Sequence, residues 1–358
     1  MKFKDIVILP GLMLWVLGSC SKNETTMVCP KAEIVYNVIS TKAASAYDTN
    51  CPFISNVWYV PDGVKWGVGN YESQVQHYIS DAEISYNGGL WRNASMVYYW
   101  PKDGSLTFMA YSPSKVKANV NVSSANYTGI QLNSWDVHEH QDVDFMVSDV
   151  QSGMKANASY AGYVGVPTVF RHKLSKLVSF KVTTLKDYSS KGYKFYLKNI
   201  TIGNYSQQGS YISGIVTSAS AIGQWTVDKS SEAYDYIWYN TSGTDMGREI
   251  EYSSASAQDV ASAAYPDGIM LLPQEFDNPG DNPDYTKVPY LKIKYDFYRN
   301  DYTVESKEAT VPLYEVFSSS LQMNKKITLT IKVSDSQSVI YWAPQMDDWS
   351  GKDVDISI

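Results

Sequence analysis

"LKIKYDFY", Leu291 to Tyr298, decides the fold class. Leu291, Ile293, Tyr295 and Phe297 alternate with Lys292, Lys294, Asp296 and Tyr298. A period of two puts the apolar row on one face of an extended chain and the polar row on the other, as a half-buried antiparallel strand requires. The pattern recurs at Ile327, Leu329, Ile331 and Val333, and again at Val354, Ile356 and Ile358 at the end of the chain. Ile34–Ile39, Met96–Trp100, Leu106–Tyr111, Val143–Val147, Leu177–Val182, Tyr193–Ile202 and Tyr211–Val216 also read as strands. Turn residues separate them, such as Asn87-Gly88-Gly89, Lys102-Asp103-Gly104 and Pro279-Gly280-Asp281. Two segments, Glu232–Tyr239 and Ala255–Ala264, read as short helices.

Composition agrees. Charged residues make up only 19%, against 29 Tyr and 10 Trp, a balance that favours strands and turns over helices. The net charge of −7 offers no basic footprint for nucleic acid. The sequence predicts an all-β protein of two tandem antiparallel β-sandwiches, spanning 31–166 and 167–358, with the boundary at Gly165-Val166-Pro167.

The first residues carry an address. Lys2 and Lys4 precede an apolar stretch, Ile6–Leu17, broken by Pro10 and Gly11. It is shorter than the ~20 residues of a membrane span and reads as a secretory signal over 1–19. "LGSC", Leu17 to Cys20, resembles the lipobox of bacterial lipoproteins. That resemblance implies cleavage between Ser19 and Cys20, lipid on the Cys20 thiol, and a linker over 20–30. Each buried methylene contributes roughly 0.8 kcal/mol, so several acyl chains hold a soluble domain at a bilayer. Cys29 and Cys51 are then the remaining cysteines, a candidate disulfide in an oxidising compartment.

Five blocks carry a second resemblance. "YYWPKDGSLTFMAYSP" (Tyr98–Pro113), "QDVDFMVSD" (Gln141–Asp149), "FRHKLSKLVSFKV" (Phe170–Val182), "GIMLLPQEF" (Gly268–Phe276) and "VIYWAPQMDDWSG" (Val339–Gly351) are similar, in order, to blocks of fimbrillin-like lipoproteins. The resemblance implies two transthyretin-like sandwiches in a cell-surface fimbrial subunit, held at the outer membrane by its lipid. Partners would be other fimbrial subunits and a host or bacterial surface receptor. In the family the first strand is cut away and a neighbour's strand fills the groove, an instance of β-augmentation. The removable strand would be Ile34–Ile39, with Ile34, Tyr36 and Val38 on one face. "DVDISI", with Val354, Ile356 and Ile358, has the alternation of a donor strand and equally that of a native last strand.

The linker Ser40–Asn50 lacks arginine, the family's usual processing residue, and its basic residue is Lys42. Cys29 and Cys51 bracket both the strand and Lys42. A bond between them would tether a cut strand at an effective concentration of about millimolar. An uncut chain would serve as an anchor that keeps its lipid.

Chemistry elsewhere is thin. Asp136, His138, His140, Asp142 and Asp144 share one face if extended, the residue types of a transition-metal site. Without an HExxH helix they read better as solvated edge residues. Gln274–Asp284 gathers carboxylate and amide oxygens but lacks the ligand order of a calcium loop. His77 and His172 stand apart and read as structural. No nucleophile-and-base set or phosphate loop is present, so neither catalysis nor a cofactor is expected. The rival reading is a glycan-binding surface lipoprotein, which would need Trp and Tyr aligned in water. Trp58, Trp91, Trp100 and Trp225 sit in strand-like runs and read as packing.

Overall fold

The computed structural model describes residues 32–39, 47–125, 129–156, 165–215, 223–253, 257–300, 302–334 and 341–348. Strand is the dominant regular structure among these residues, 54% against 6% helix. The first half contains β1 (Tyr36–Ile39), β2 (Phe53–Val60), β3 (Gln76–Asn87), β4 (Leu90–Asn93), β5 (Ser105–Ser112), β6 (Val120–Ser123), β7 (Gly129–Asp136), β8 (Met146–Ser148), β9 (Gln151–Met154) and β10 (Val166–His172). The second half contains β11 (Ser175–Thr184), β12 (Tyr193–Ser206), β13 (Gln208–Ile212), β14 (Gln224–Val227), β15 (Ala233–Asn240), β16 (Arg248–Glu249), β17 (Gln258–Val260), β18 (Ile269–Leu271), β19 (Gln274–Glu275), β20 (Tyr290–Arg299), β21 (Tyr302–Pro312), β22 (Ser320–Leu321), β23 (Lys325–Val333) and β24 (Tyr341–Asp348).

In the first half the sheet closes on itself. Its order is β2-β3-β4-β1-β10-β8-β5, and β5 pairs back with β2. Phe53 and Val57 of β2 face the inside of this ring with Tyr36, Ile84, Trp91, Phe108 and Phe170. Ile54 and Trp58, of opposite parity, face a second core with Met109, Tyr111 and Leu132. β2 is therefore buried on both faces, and its sequence "FISNVWYV" shows no alternation by which to find it.

In the second half two sheets, β17-β11-β23-β24 and β15-β12-β20-β21, enclose the core. Phe180 of β11 meets Trp238 of β15 edge to face at 5.3 Å, and the Tyr295 hydroxyl of β20 donates to the Ser334 carbonyl. The alternation of Leu291–Phe297 places Leu291, Ile293, Tyr295 and Phe297 inside, as expected.

Several expectations change. The two halves are joined by more than the chain. β7 of the first pairs with β13 of the second in a shared sheet, β14-β13-β7-β6, and one hydrophobic cluster runs from Ile54 to Val333. The chain leaves the first ring after His172, not at Val166, because β10 pairs with β1 and β8. Gly165 is not a linker residue. Its φ of +102° and the Val35 carbonyl oxygen 2.7 Å from where a Cβ would sit demand glycine where β10 begins beside β1. Glu232–Tyr239 is no helix: β15 buries Tyr236 and Trp238 with strand parity, and aromatic residues favour the pleated surface. Ala255–Ala264 likewise contains β17. Met96–Trp100 is not a strand; its backbone contributes an isolated bridge between Tyr99 and Glu33.

Candidate functional site

β1 is the element whose position bears on assembly. It lies inside the ring, parallel to β10 (Tyr36 opposite Val166, through Ile39 opposite Val169) and antiparallel to β4 (Tyr36 opposite Trp91). The backbone just before it is also held. The Ile34 amide donates to the Tyr98 carbonyl at 2.8 Å, and Ala32 accepts from the Trp100 amide at 3.0 Å.

Side chains lock the strand from within. Ile34 and Tyr36 are buried, and Val38 is half-buried against the same cluster. The Tyr36 ring makes near-perpendicular T-shaped contacts with Phe53 and Phe108, with centroids 5.6 and 5.9 Å away. Its hydroxyl donates to Ser55 Oγ at 3.0 Å, and Ser55 is fully buried on β2. Burial pushes the Tyr36 phenol well above its ordinary range, so it remains a neutral donor. Each such apolar side chain contributes about 1.5–3 kcal/mol on burial. Taking β1 away would also leave β4 and β10 with unpaired edges.

Past the linker the chain returns at Tyr47. Its ring stacks on Phe170 at 5.1 Å and meets Trp91 at 5.4 Å, closing the same aromatic cluster. Cys51 is half-buried, with Sγ 3.7 Å from Ser112 Oγ. Cys20, Ser19, Cys29, Lys42, Val354, Ile356 and Ile358 lie outside the described residues.

The Asp/His run does not stay extended. β7 ends at Asp136 and the chain turns, so the alternate residues part. His138 stacks on Tyr234, and His140 stacks on Trp135 and contacts the Asp136 carbonyl through Nδ1. Asp142 pairs with Lys115, and Asp144 with His172 Nδ1 at 2.8 Å. No group of potential metal ligands occurs among the described residues. In the Gln274–Asp284 loop, Asp277 pairs with Lys229, and Asn278 caps the Gly280 amide. The hydroxyl and amide of Thr286, with Lys287, hold the exposed Asp284 carboxyl down at about 2.

The tryptophans pack. Trp58 and Trp91 are buried, Trp58 flat against His77 at 4.6 Å. Trp100 leans on Phe108, and Trp225 donates to the Lys173 carbonyl.

Sequence reasoning passed over three residues that the fold brings together. Arg171 donates from Nε and Nη2 to both oxygens of Asp149, at 2.8 and 3.0 Å. Two residues on, Lys173 is buried with its ammonium 5.7 Å from the centre of the Tyr211 ring. Asp149 and Arg171 belong to two of the five matching blocks, and β8–β10 pairing juxtaposes them. Nothing in either block alone signals the other.

The geometry defines a β-protein in which β1 completes a closed ring of strands around an apolar core. The class is that of structural or adhesive fimbrial subunits, which assemble with other subunits at the cell surface. Residues 62–349 match the model of the fimbrillin-like family, and the chain belongs to that family. A fimbrial protein of Bacteroides vulgatus shares the fold, with a TM-score of 0.57 and 16% identity over 88% of this chain and 99% of that one. The tip fimbrial protein of Porphyromonas gingivalis aligns with 89% of this chain and 100% of its own, at 11% identity and a TM-score of 0.41. A fimbrillin of the same organism aligns at 8% identity over 90% and 99%, with a TM-score of 0.44. No curated protein matches the chain.

Proposed function

We propose that the chain is exported as a lipoprotein, acylated on Cys20 after cleavage behind Ser19. It then joins a surface fimbria by exchange of its first strand, or keeps that strand as an anchor or tip. The role is mechanical and adhesive rather than catalytic. The observation that carries this reading is the place of β1 between β4 and β10, inside an otherwise closed ring. Removal of a strand there uncovers an apolar slot and two rows of backbone donors and acceptors, which another strand can satisfy. A cut at Lys42 would release it. A bond between Cys29 and Cys51 would hold it in place, and the half-buried Cys51 is compatible with such a link. The receptor of an adhesive subunit would be a host or bacterial surface molecule.

The test combines electron microscopy of expressing cells with N-terminal sequencing of the mature protein. A terminus near Ala43 in shed fibres identifies an exchanged subunit, and a blocked Cys20 in the membrane identifies an anchor. A chain that stays in the cell interior with an unprocessed Met1 refutes export and assembly alike.

A further inference from the structure

We propose that the slot filled by Tyr36 selects for a strand carrying a phenol, so that the partner entering it supplies an aliphatic-x-Tyr-x-aliphatic strand and not residues 350–358 of a second copy. This rests on the strand-exchange reading above. Three features of the slot set the demand. Phe53 and Phe108 both pack nearly perpendicular to a flat ring at the Tyr36 position. At the far end of that ring, Ser55 Oγ accepts from the phenol in a site without solvent. Ile34 and Val38, two residues to either side, pack in the same cluster, so the pattern read by the slot is aliphatic-x-Tyr-x-aliphatic. β1 itself runs parallel to β10 and antiparallel to β4, so an occupant in the same direction inherits those pairings.

The segment Val354, Ile356 and Ile358 has the right spacing but the wrong centre. With Ile356 in the Tyr36 place, no hydroxyl reaches Ser55, and a fully buried oxygen loses its donor. The branched side chain also leaves unfilled the space that the ring occupies between the two phenylalanines. A slip of two residues brings Val354 or Ile358 there, with the same defect. A slip of one brings Asp355, which would bury a carboxylate, or Ser357, which is too short. No register of the tail reproduces the phenol. The slot therefore disfavours residues 350–358 as its occupant and favours a strand that brings a tyrosine to the Tyr36 place.

The test uses the full chain with a specific protease site inserted in the linker at 40–46, cut after folding. Fluorescent peptides then compete for the slot: residues 32–40, the same peptide with Tyr36→Phe, and residues 350–358. Retention is read by anisotropy. The Tyr peptide should bind about tenfold more tightly than the Phe peptide, a gap of about 1.4 kcal/mol, with the tail peptide weaker still. In a Ser55→Ala chain the Tyr–Phe gap should close, which a merely bulky contact would not do. A tail peptide that binds as tightly as residues 32–40 overturns the selectivity, as does a Tyr–Phe gap that survives in Ser55→Ala. If no peptide enters, residues 32–40 included, strand exchange itself fails and the selectivity falls with it. Equal entry of all three overturns the selectivity alone.

Discussion

Replacing Lys173 with methionine should make the protein more stable at neutral pH, and should do so in a pH-dependent way. Lys173 is 1% exposed, just beyond β10 where the two halves meet. Burial drives its ammonium down to about 7, against a smaller opposing pull from Asp149, with Arg171 adding repulsion. Unfolded, the amine keeps its ordinary value of 10.5 and stays protonated up to that pH. Folded, it gives up its proton from about 7. Between the two values the unfolded chain binds more protons, so raising the pH favours the fold. Below about 7 the penalty is fully present, and above 10.5 it is gone. Each unit of separation is worth about 1.4 kcal/mol, so wild type should recover about 2 kcal/mol relative to Lys173→Met between pH 7 and 9. Asp149 keeps its bidentate bond to Arg171 in the variant, so no carboxylate is orphaned. The buried tyrosines titrate alike in both proteins and cancel in the difference. Urea unfolding of both at pH 6, 7, 8 and 9 measures the gap. A gap that stays constant within about 0.5 kcal/mol across that range would refute a neutralised lysine.

Asp149→Asn should cost about 3–5 kcal/mol in urea unfolding, because it leaves the buried Arg171 guanidinium without its carboxylate. Gly165→Val should loosen β1 by about 1–3 kcal/mol, since a Cβ would strike the Val35 carbonyl and φ is +102°; hydrogen exchange at residues 36–39 should speed up before global unfolding does. Phe180→Ala, in the middle of the second core, should cost about 3–5 kcal/mol by calorimetry with the fold retained. Cys20→Ser should move the exported protein from the detergent phase to the aqueous phase on partitioning, and an unchanged distribution would remove the lipid from the account.

The sequence alone determined the strand class and the family, and it predicts an extracytoplasmic address. Those depend on local quantities: the period of two in Leu291–Phe297 and Ile327–Val333, a short apolar leader before Cys20, and blocks of adjacent residues. Even the candidate strand 34–39 was legible, because Ile34, Tyr36 and Val38 alternate along one face. Where a segment is buried on both sides, as β2 is, alternation vanishes and so does the signal. The segment at 232–239 reads as a strand once its aromatics are given weight: Tyr234, Tyr236 and Trp238 recur at every second position, and aromatic residues favour the pleated surface.

Only the tertiary structure decided that β1 is an inner strand and not an edge, because that depends on β5 returning to β2 far away in sequence. It also decided that Ser55 waits for the Tyr36 phenol and that Asp149 faces Arg171. The sharing of one core by both halves, through β7 and β13, belongs to the same category. Pairings of this kind are set by which distant chains close the fewest unsatisfied backbone groups around the most apolar surface, a balance no single window of residues contains.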